Sequence, residues 1–238
     1  MTISLDATLP TAEVLAEVFA LTATSHTVAD SVMDVVQDAS YTYADILELF
    51  NECLLEIAGE LLLPDLEVWD DIYTDAHQNH CRLPANYHRN LRYAHSISHN
   101  REVKVYGSRS QLSRKFGKLN QVGQVIGIAP QGRWLFYQRV PSNAETIQIQ
   151  YWRFPKRLES RHDKPDCIPW HLAKPLLKHY ACKELFSEIE DGQDGNKTNT
   201  SYHEKRYAKA LEALEAFIGP EEHPPVYTEE EIDWDALH

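Results

Sequence analysis

The sequence predicts an α+β fold: a helical bundle formed by N- and C-terminal helices, with an inserted antiparallel β domain and an extended C-terminal arm. Three observations lead there. A strong helical period runs from about Tyr43 to Leu62 and stops at Pro64. From about Trp69 to Pro155 the chain reads instead as short strands and turns, with two-residue alternation clearest at Thr146 to Phe154. Helical spacing then returns after Pro165. The resulting division is an N-terminal extension (1–27), a bundle (28–68 and 165–218), a β-rich insertion (69–164) and an arm (219–238).

Each element has a local reason. Glu13 to Leu21 can make a short helix, ended by Thr22-Ala23-Thr24-Ser25. Thr27 is placed to cap a helix carrying Val28, Val32, Val35 and Val36, whose β-branched residues need tertiary contacts to stay helical. In the strongest helix Ile46, Leu49, Phe50, Cys53, Leu54, Ile57 and Leu61 define one buried face, with Thr42 as cap and Asp45 three residues on. Its polar side carries Glu48, Glu52, Glu56 and Glu60, each four residues from the next, a spacing at which like charges repel. That stripe is either a solvated face, a face for basic partners, or the lining of a space that should repel an anion.

Val122 to Pro130, Arg133 to Gln138 and Thr146 to Phe154 are the expected strands, with Gln131-Gly132 as a tight hairpin turn and Pro141-Ser142-Asn143 as another. Ile147, Ile149 and Tyr151 should face inward, and Gln148, Gln150 and Trp152 outward. Ser110 to Phe116 can make one or two helical turns. Beyond Pro169, the buried stripe is Leu172, Leu176, Tyr180, Leu185 and Ile189. After a Gly/Asp-rich loop at 191–196, Ser201 to Glu204 reads as a capping box opening a last helix, with Tyr207, Leu211, Leu214 and Phe217 inward. Gly219-Pro220 ends it. The remaining residues, with Pro224-Pro225 and acids around Val226, Tyr227, Ile232, Trp234 and Leu237, are too few and too polar for a core and need a partner to order them.

With 43% hydrophobic and 25% charged residues, the composition excludes collagen, low-complexity disorder and a disulfide scaffold. No apolar run reaches the about 18 residues of a membrane helix, and Met1 to Thr11 carries no basic residue, so neither a membrane partner nor a secretory signal is expected. Cys53, Cys81, Cys167 and Cys182 form no CxxC pair and read as free thiols of a reducing compartment. The net charge of −13 is segregated: residues 1–81 hold 16 Asp/Glu and no Lys or Arg, residues 82–218 hold all 23 Lys/Arg and 13 Asp/Glu, and residues 219–238 hold 7 Asp/Glu alone. Blocks of opposite sign pair within a subunit or, head to tail, between subunits of a ring.

No catalytic constellation emerges, and no nucleotide cradle or GxSxG elbow is present. His77, His80, Cys81 and His88 are the best metal candidates but lack a second spaced pair. The loop from Glu190 to Ser201 has Gly192 and Ser201 where a calcium loop needs ligands. Pro165-Asp166 opens no nuclease-like acid cluster, and no neighbouring motif activates a cysteine. Arg82, Arg89, Arg92, Arg101, Lys104, Arg109, Arg114, Lys115 and Lys118, interleaved with Tyr87, Tyr93 and Tyr106, form a basic stretch suited to phosphates. The acidic N-terminal block argues against a free-standing DNA binder. No enzyme, metal or cofactor is therefore expected.

Four stretches, Asp45–Val68 (DILELFNECLLEIAGELLLPDLEV), Leu83–Tyr93 (LPANYHRNLRY), Trp134–Ser142 (WLFYQRVPS) and Leu185–Glu212 (LFSEIEDGQDGNKTNTSYHEKRYAKALE), follow the order helix, β region, helix, Gly/Asp loop, helix. In them, over about residues 43 to 217, the chain resembles the head-to-tail adaptor (connector) proteins of tailed bacteriophages. The resemblance implies a structural virion protein: a ring of twelve copies of this chain, docked beneath the portal protein and extending the channel through which double-stranded DNA passes without sequence recognition. It implies a nozzle, stopper or tube-like tail protein as the next partner. It also implies a C-terminal segment that reaches the portal, here through Val226, Tyr227, Ile232, Trp234 and Leu237. Glu48, Glu52, Glu56 and Glu60 would then line the channel or a subunit interface. The rival readings are a scaffold or interaction protein unrelated to phage, and an enzyme of unrecognised type.

Overall fold

The computed structural model describes residues 26–38, 40–191 and 197–220. Among them are five α-helices and eight strands, so the chain is α+β. The helices are α1 (Val28–Val36), α2 (Tyr43–Glu60), α3 (Arg109–Phe116), α4 (Trp170–Glu190) and α5 (Thr198–Ile218). The strands are β1 (Glu67–Tyr73), β2 (His80–Arg82), β3 (Tyr87–Ser96), β4 (Arg101–Glu102), β5 (Lys104–Val105), β6 (Gly127–Gln131), β7 (Trp134–Tyr137) and β8 (Thr146–Arg153). Two compact units divide the chain. Of the described residues, one holds those up to Cys53 with Arg157–Lys164 and those within 170–211; the other holds Leu54–Lys156, Pro165–Pro169 and 212–220.

In the first unit α1 packs on α4. Thr27 and Asp30 form a reciprocal capping box: the Thr27 hydroxyl accepts the Asp30 N–H at 3.2 Å, and the Asp30 carboxylate accepts the Thr27 N–H at 2.7 Å. Asp30 also accepts from the Tyr43 hydroxyl at 2.8 Å and from Arg161 at 3.4 Å. Burial opposes ionisation of Asp30, but the bonds from Thr27 and Tyr43 and the Arg161 charge outweigh it and hold the carboxyl down at about 2. At α2, Thr42 and Asp45 repeat the N-terminal exchange, with the Thr42 N–H to carboxylate bond at 2.8 Å. Buried Asn51 donates to the Leu158 carbonyl at 3.1 Å and accepts the Leu158 N–H at 2.7 Å, tying α2 to the 157–164 segment.

The start of α5 corrects the sequence expectation. The helix begins at Thr198, so Ser201 is already inside it and opens no capping box. The cap comes from the preceding helix: the Glu190 carboxylate accepts the N–H groups of Asn199 (3.1 Å) and Thr200 (3.2 Å) and the Thr200 hydroxyl (2.7 Å). A carboxylate at a helix N-terminus satisfies donors that have no partner within the helix. The hydrogen bonds, led by that of Thr200, hold the Glu190 carboxyl below its ordinary range despite burial. The inward stripes are shorter than expected. Leu176, Tyr180 and Leu185 of α4 and Tyr207 and Leu214 of α5 are buried, Leu172, Ile189 and Leu211 only partly, and Phe217 is 59% exposed.

Where α4 and α5 meet, the Nδ1 atoms of His179 and His203 lie 3.0 Å apart, one donating to the other. His203 is buried and stacks on Phe186. Burial, then the charges of His203, Lys178 and Arg206, pull His179 down to about 4; burial and Lys178 lower His203. A base whose folded pKa is depressed is protonated preferentially when unfolded. Its effect is therefore absent above the ordinary histidine value, grows as pH falls through it, and levels off below the folded pKa. Urea unfolding is expected to show a loss on the order of 2 kcal/mol between about pH 7.5 and about pH 5. The double variant His179→Leu/His203→Phe should remove most of that slope, and an unchanged slope would assign it to other groups.

In the second unit two four-stranded sheets, ordered β1-β8-β3-β4 and β2-β7-β6-β5, share one core that includes Ile72, Cys81, Leu135, Tyr137, Ile147, Ile149 and Tyr151. All pairings are antiparallel except β5 with β6, which is parallel, so the expected antiparallel insertion is mixed. Ile147, Ile149 and Tyr151 face inward as their alternation requires, but Trp152, expected outside, is also buried. The strand expected from Val122 starts at Gly127; Val122 is 70% exposed and forms an isolated bridge with Val140. The β6–β7 turn is Gly132-Arg133, between the paired Gln131 and Trp134, and Gly132 takes the left-handed φ of 60° that favours glycine. The expected helical turns are α3, capped by the Ser108 hydroxyl.

Candidate functional site

The glutamate stripe is built as its spacing requires. Ile46, Phe50, Cys53, Leu54 and Ile57 turn one face of α2 inward, which leaves Glu48, Glu52, Glu56 and Glu60 exposed. Glu48 pairs with Arg157. Among the described residues Glu52, Glu56 and Glu60 make no ion pair. Leu55, beside them, is 46% exposed; inward spacing alone did not single it out. The C-terminus of α2 has no basic residue of its own, and Arg89 of β3 supplies one, donating to the carbonyls of Gly59 and Leu61 (2.5 Å to Leu61). A cleft of about 200 Å3 lies near this end, lined by Glu60, Leu61, Leu62, Glu215, Ile218 and Gly219.

The basic stretch separates into two roles. Arg89 caps α2, Arg101 donates to the Val125 carbonyl at 3.2 Å, and the Arg109 guanidinium sits 4.4 Å over the Phe136 ring. These are fold contacts. Arg82, Arg114 and Lys118 are exposed, as is Arg133. Arg82 stands across from Trp134 in the β2–β7 register, and Trp134 is 45% exposed. His80 fills the space between Trp134 (5.1 Å, edge on) and Phe136 (5.6 Å). The outer face of β2 and β7 is thus an aromatic row bordered by cations. Sequence reading found the cations but not the row, because its members come from two strands joined only by pairing.

The metal candidates do not converge. Cys81 points into the core while its strand neighbour His80 points out, and His88 lies 4.5 Å from the Phe154 ring. Among the described residues no three His, Cys, Asp or Glu side chains are grouped to hold a metal ion. The carboxylate of Glu190 is engaged at the α5 cap, and Asp166 pairs with Arg153 at 2.8 Å. All four cysteines are buried, and none is in a disulfide. Burial raises the Cys167 thiol to about 12 and the Cys182 thiol to about 11, which suppresses thiolate chemistry.

Neither protein-family models nor curated proteins match this chain. Its site is therefore read from its own chemistry: an acidic helix face with one exposed leucine, and an aromatic sheet face with cations around it. Val226, Tyr227, Ile232, Trp234 and Leu237 lie outside the described residues. Among the described residues no helix is long and apolar enough to cross a membrane.

Proposed function

We propose that this protein is a structural head-to-tail adaptor of a tailed bacteriophage. It forms a ring of twelve copies beneath the portal protein, and extends the DNA channel toward the next tail protein. The finer fold belongs to the same proposal: a bundle of N- and C-terminal helices carrying an inserted β domain and a C-terminal arm. One observation supports it most. A single chain presents an acidic helix face and a cation-bordered sheet face, the chemistry of a heterologous contact that repeats and closes. Its place in the virion is the head-to-tail interface, and the arm is the part that meets the portal. Trp234 and Tyr227 suit anchoring in apolar hollows, and Pro224-Pro225 limits the chain entropy lost on docking.

Negative-stain imaging with and without portal tests this directly. Rings or portal-bound caps are expected; a monodisperse monomer indifferent to portal would support a scaffold of another kind. Truncation after Gly219 removes none of the residues seen buried, the last of which is Leu214. It should leave the melting temperature unchanged and reduce portal binding at least tenfold. Trp234→Ala should weaken binding more than any single Glu→Gln change in the arm, because rim charges contribute under about 1 kcal/mol each.

A further inference from the structure

We propose that the α2 glutamate face is a subunit interface, and that its occupant is the aromatic, cation-bordered face of β2 and β7 on a second copy of this chain. The inference rests on the ring-forming part of the proposed function and names the two surfaces that meet.

Each surface has an apolar centre and a charged border, and the signs are opposite. On α2 the centre is Leu55, 46% exposed, with Glu52 three residues before it, Glu56 next to it and Glu60 one turn beyond Glu56. On the sheet the centre is Trp134, 45% exposed and held edge-on by His80, with Arg82 across from it and Arg133 beside it. Residues 76–144, which supply this face, contain 11 Lys/Arg and a single acid, Glu102. Among the described residues Arg82 and Arg133, like Glu52, Glu56 and Glu60, make no ion pair within the chain. An aromatic anchor meeting a leucine, flanked by opposed charges, is the usual composition of a protein interface centre and rim. Cations brought by a neighbour also relieve the repulsion between glutamates four residues apart.

The second copy is favoured over nucleic acid on two grounds. A chain of net charge −13 repels a polyanion at long range. Nucleic acid would also leave the acidic leucine face without an occupant, whereas a copy of the chain fills both faces at once.

The full-length chain provides the test. Its four cysteines are buried, so thiols placed at the two centres are the accessible ones. Mild oxidation of the double variant Leu55→Cys/Trp134→Cys is expected to give a ladder of covalent oligomers. Mixing the two single variants should give mainly heterodimers. Charge reversal adds a second measurement. Glu52→Arg/Glu56→Arg and Arg82→Glu/Arg133→Glu should each reduce sedimentation-detected self-association at least tenfold. A mixture of the two should restore it. Circular dichroism checks that each variant is folded, and all these side chains are exposed.

Absence of the ladder, equal crosslinking by either single variant alone, or reversal without rescue overturns the proposal. So does loss of single-stranded oligonucleotide binding in Arg82→Glu/Arg133→Glu with self-association intact, which would assign the face to nucleic acid. The outcomes for the two proposals are separable. Rescue without portal-bound caps would leave this interface standing and remove the adaptor function; caps insensitive to charge reversal would do the opposite.

Discussion

Leu54→Asp is expected to yield a chain that does not fold. Leu54 is 1% exposed on the inward face of α2. The substitution removes a buried side chain whose deletion alone costs about 2–5 kcal/mol, and it adds a carboxylate with no partner at a further cost of several kcal/mol, roughly. Domains of this size are stable by about 5–15 kcal/mol, so the sum reaches or exceeds the margin. Far-UV circular dichroism and solubility read the outcome. The neighbouring Leu55→Asp, at a 46% exposed position, should retain the wild-type far-UV spectrum. A soluble, fully helical Leu54→Asp protein would show that α2 is not held by this face.

The second large effect is expected at Asn51. Its side chain meets both backbone groups of Leu158, donating at 3.1 Å and accepting at 2.7 Å, and both residues are buried. Asn51→Ala leaves an N–H and a C=O without partners at a site closed to water. Each such group costs about 1–3 kcal/mol, so urea unfolding should show a loss of roughly 2–6 kcal/mol. Asn51→Asp keeps the acceptor for the Leu158 N–H but sets a carboxylate oxygen against the Leu158 carbonyl, and it should be at least as destabilising at neutral pH. A loss under about 0.5 kcal/mol for Asn51→Ala would mean that the 157–164 segment finds other partners.

These two positions illustrate what could be read in advance. Leu54 was legible because helix burial follows from spacing within four residues. Asn51 was not, because its partner is 107 residues away and an isolated asparagine on an apolar face carries no signature. The same holds at the candidate site. The Glu48, Glu52, Glu56 and Glu60 face was evident from its period, whereas the row of Trp134, His80 and Phe136 exists only once β2 pairs with β7. β3 escaped notice for a related reason. Its run of His88, Arg89, Asn90 and Arg92 shows no alternation, and it becomes a strand through pairing with β8 across two register shifts.

The sequence alone determined the elements whose causes are local. These are the caps at Thr27 and Thr42, the inward face of α2, the inward alternation of Ile147, Ile149 and Tyr151, and the segregation of charge. Only the tertiary structure decided where α5 begins, because Glu190 of α4 supplies its cap. It alone left Phe217 exposed, because the helix runs past Leu214, its last buried side chain. It also decided which arginines are held by the fold, as Arg89 is at the end of α2, and which remain at the surface. Capping and periodicity act over one helical turn or one pair of strand residues, so they are written in short stretches of chain. Pairing, end-capping by distant side chains and the extent of a core depend on residues that only folding brings together.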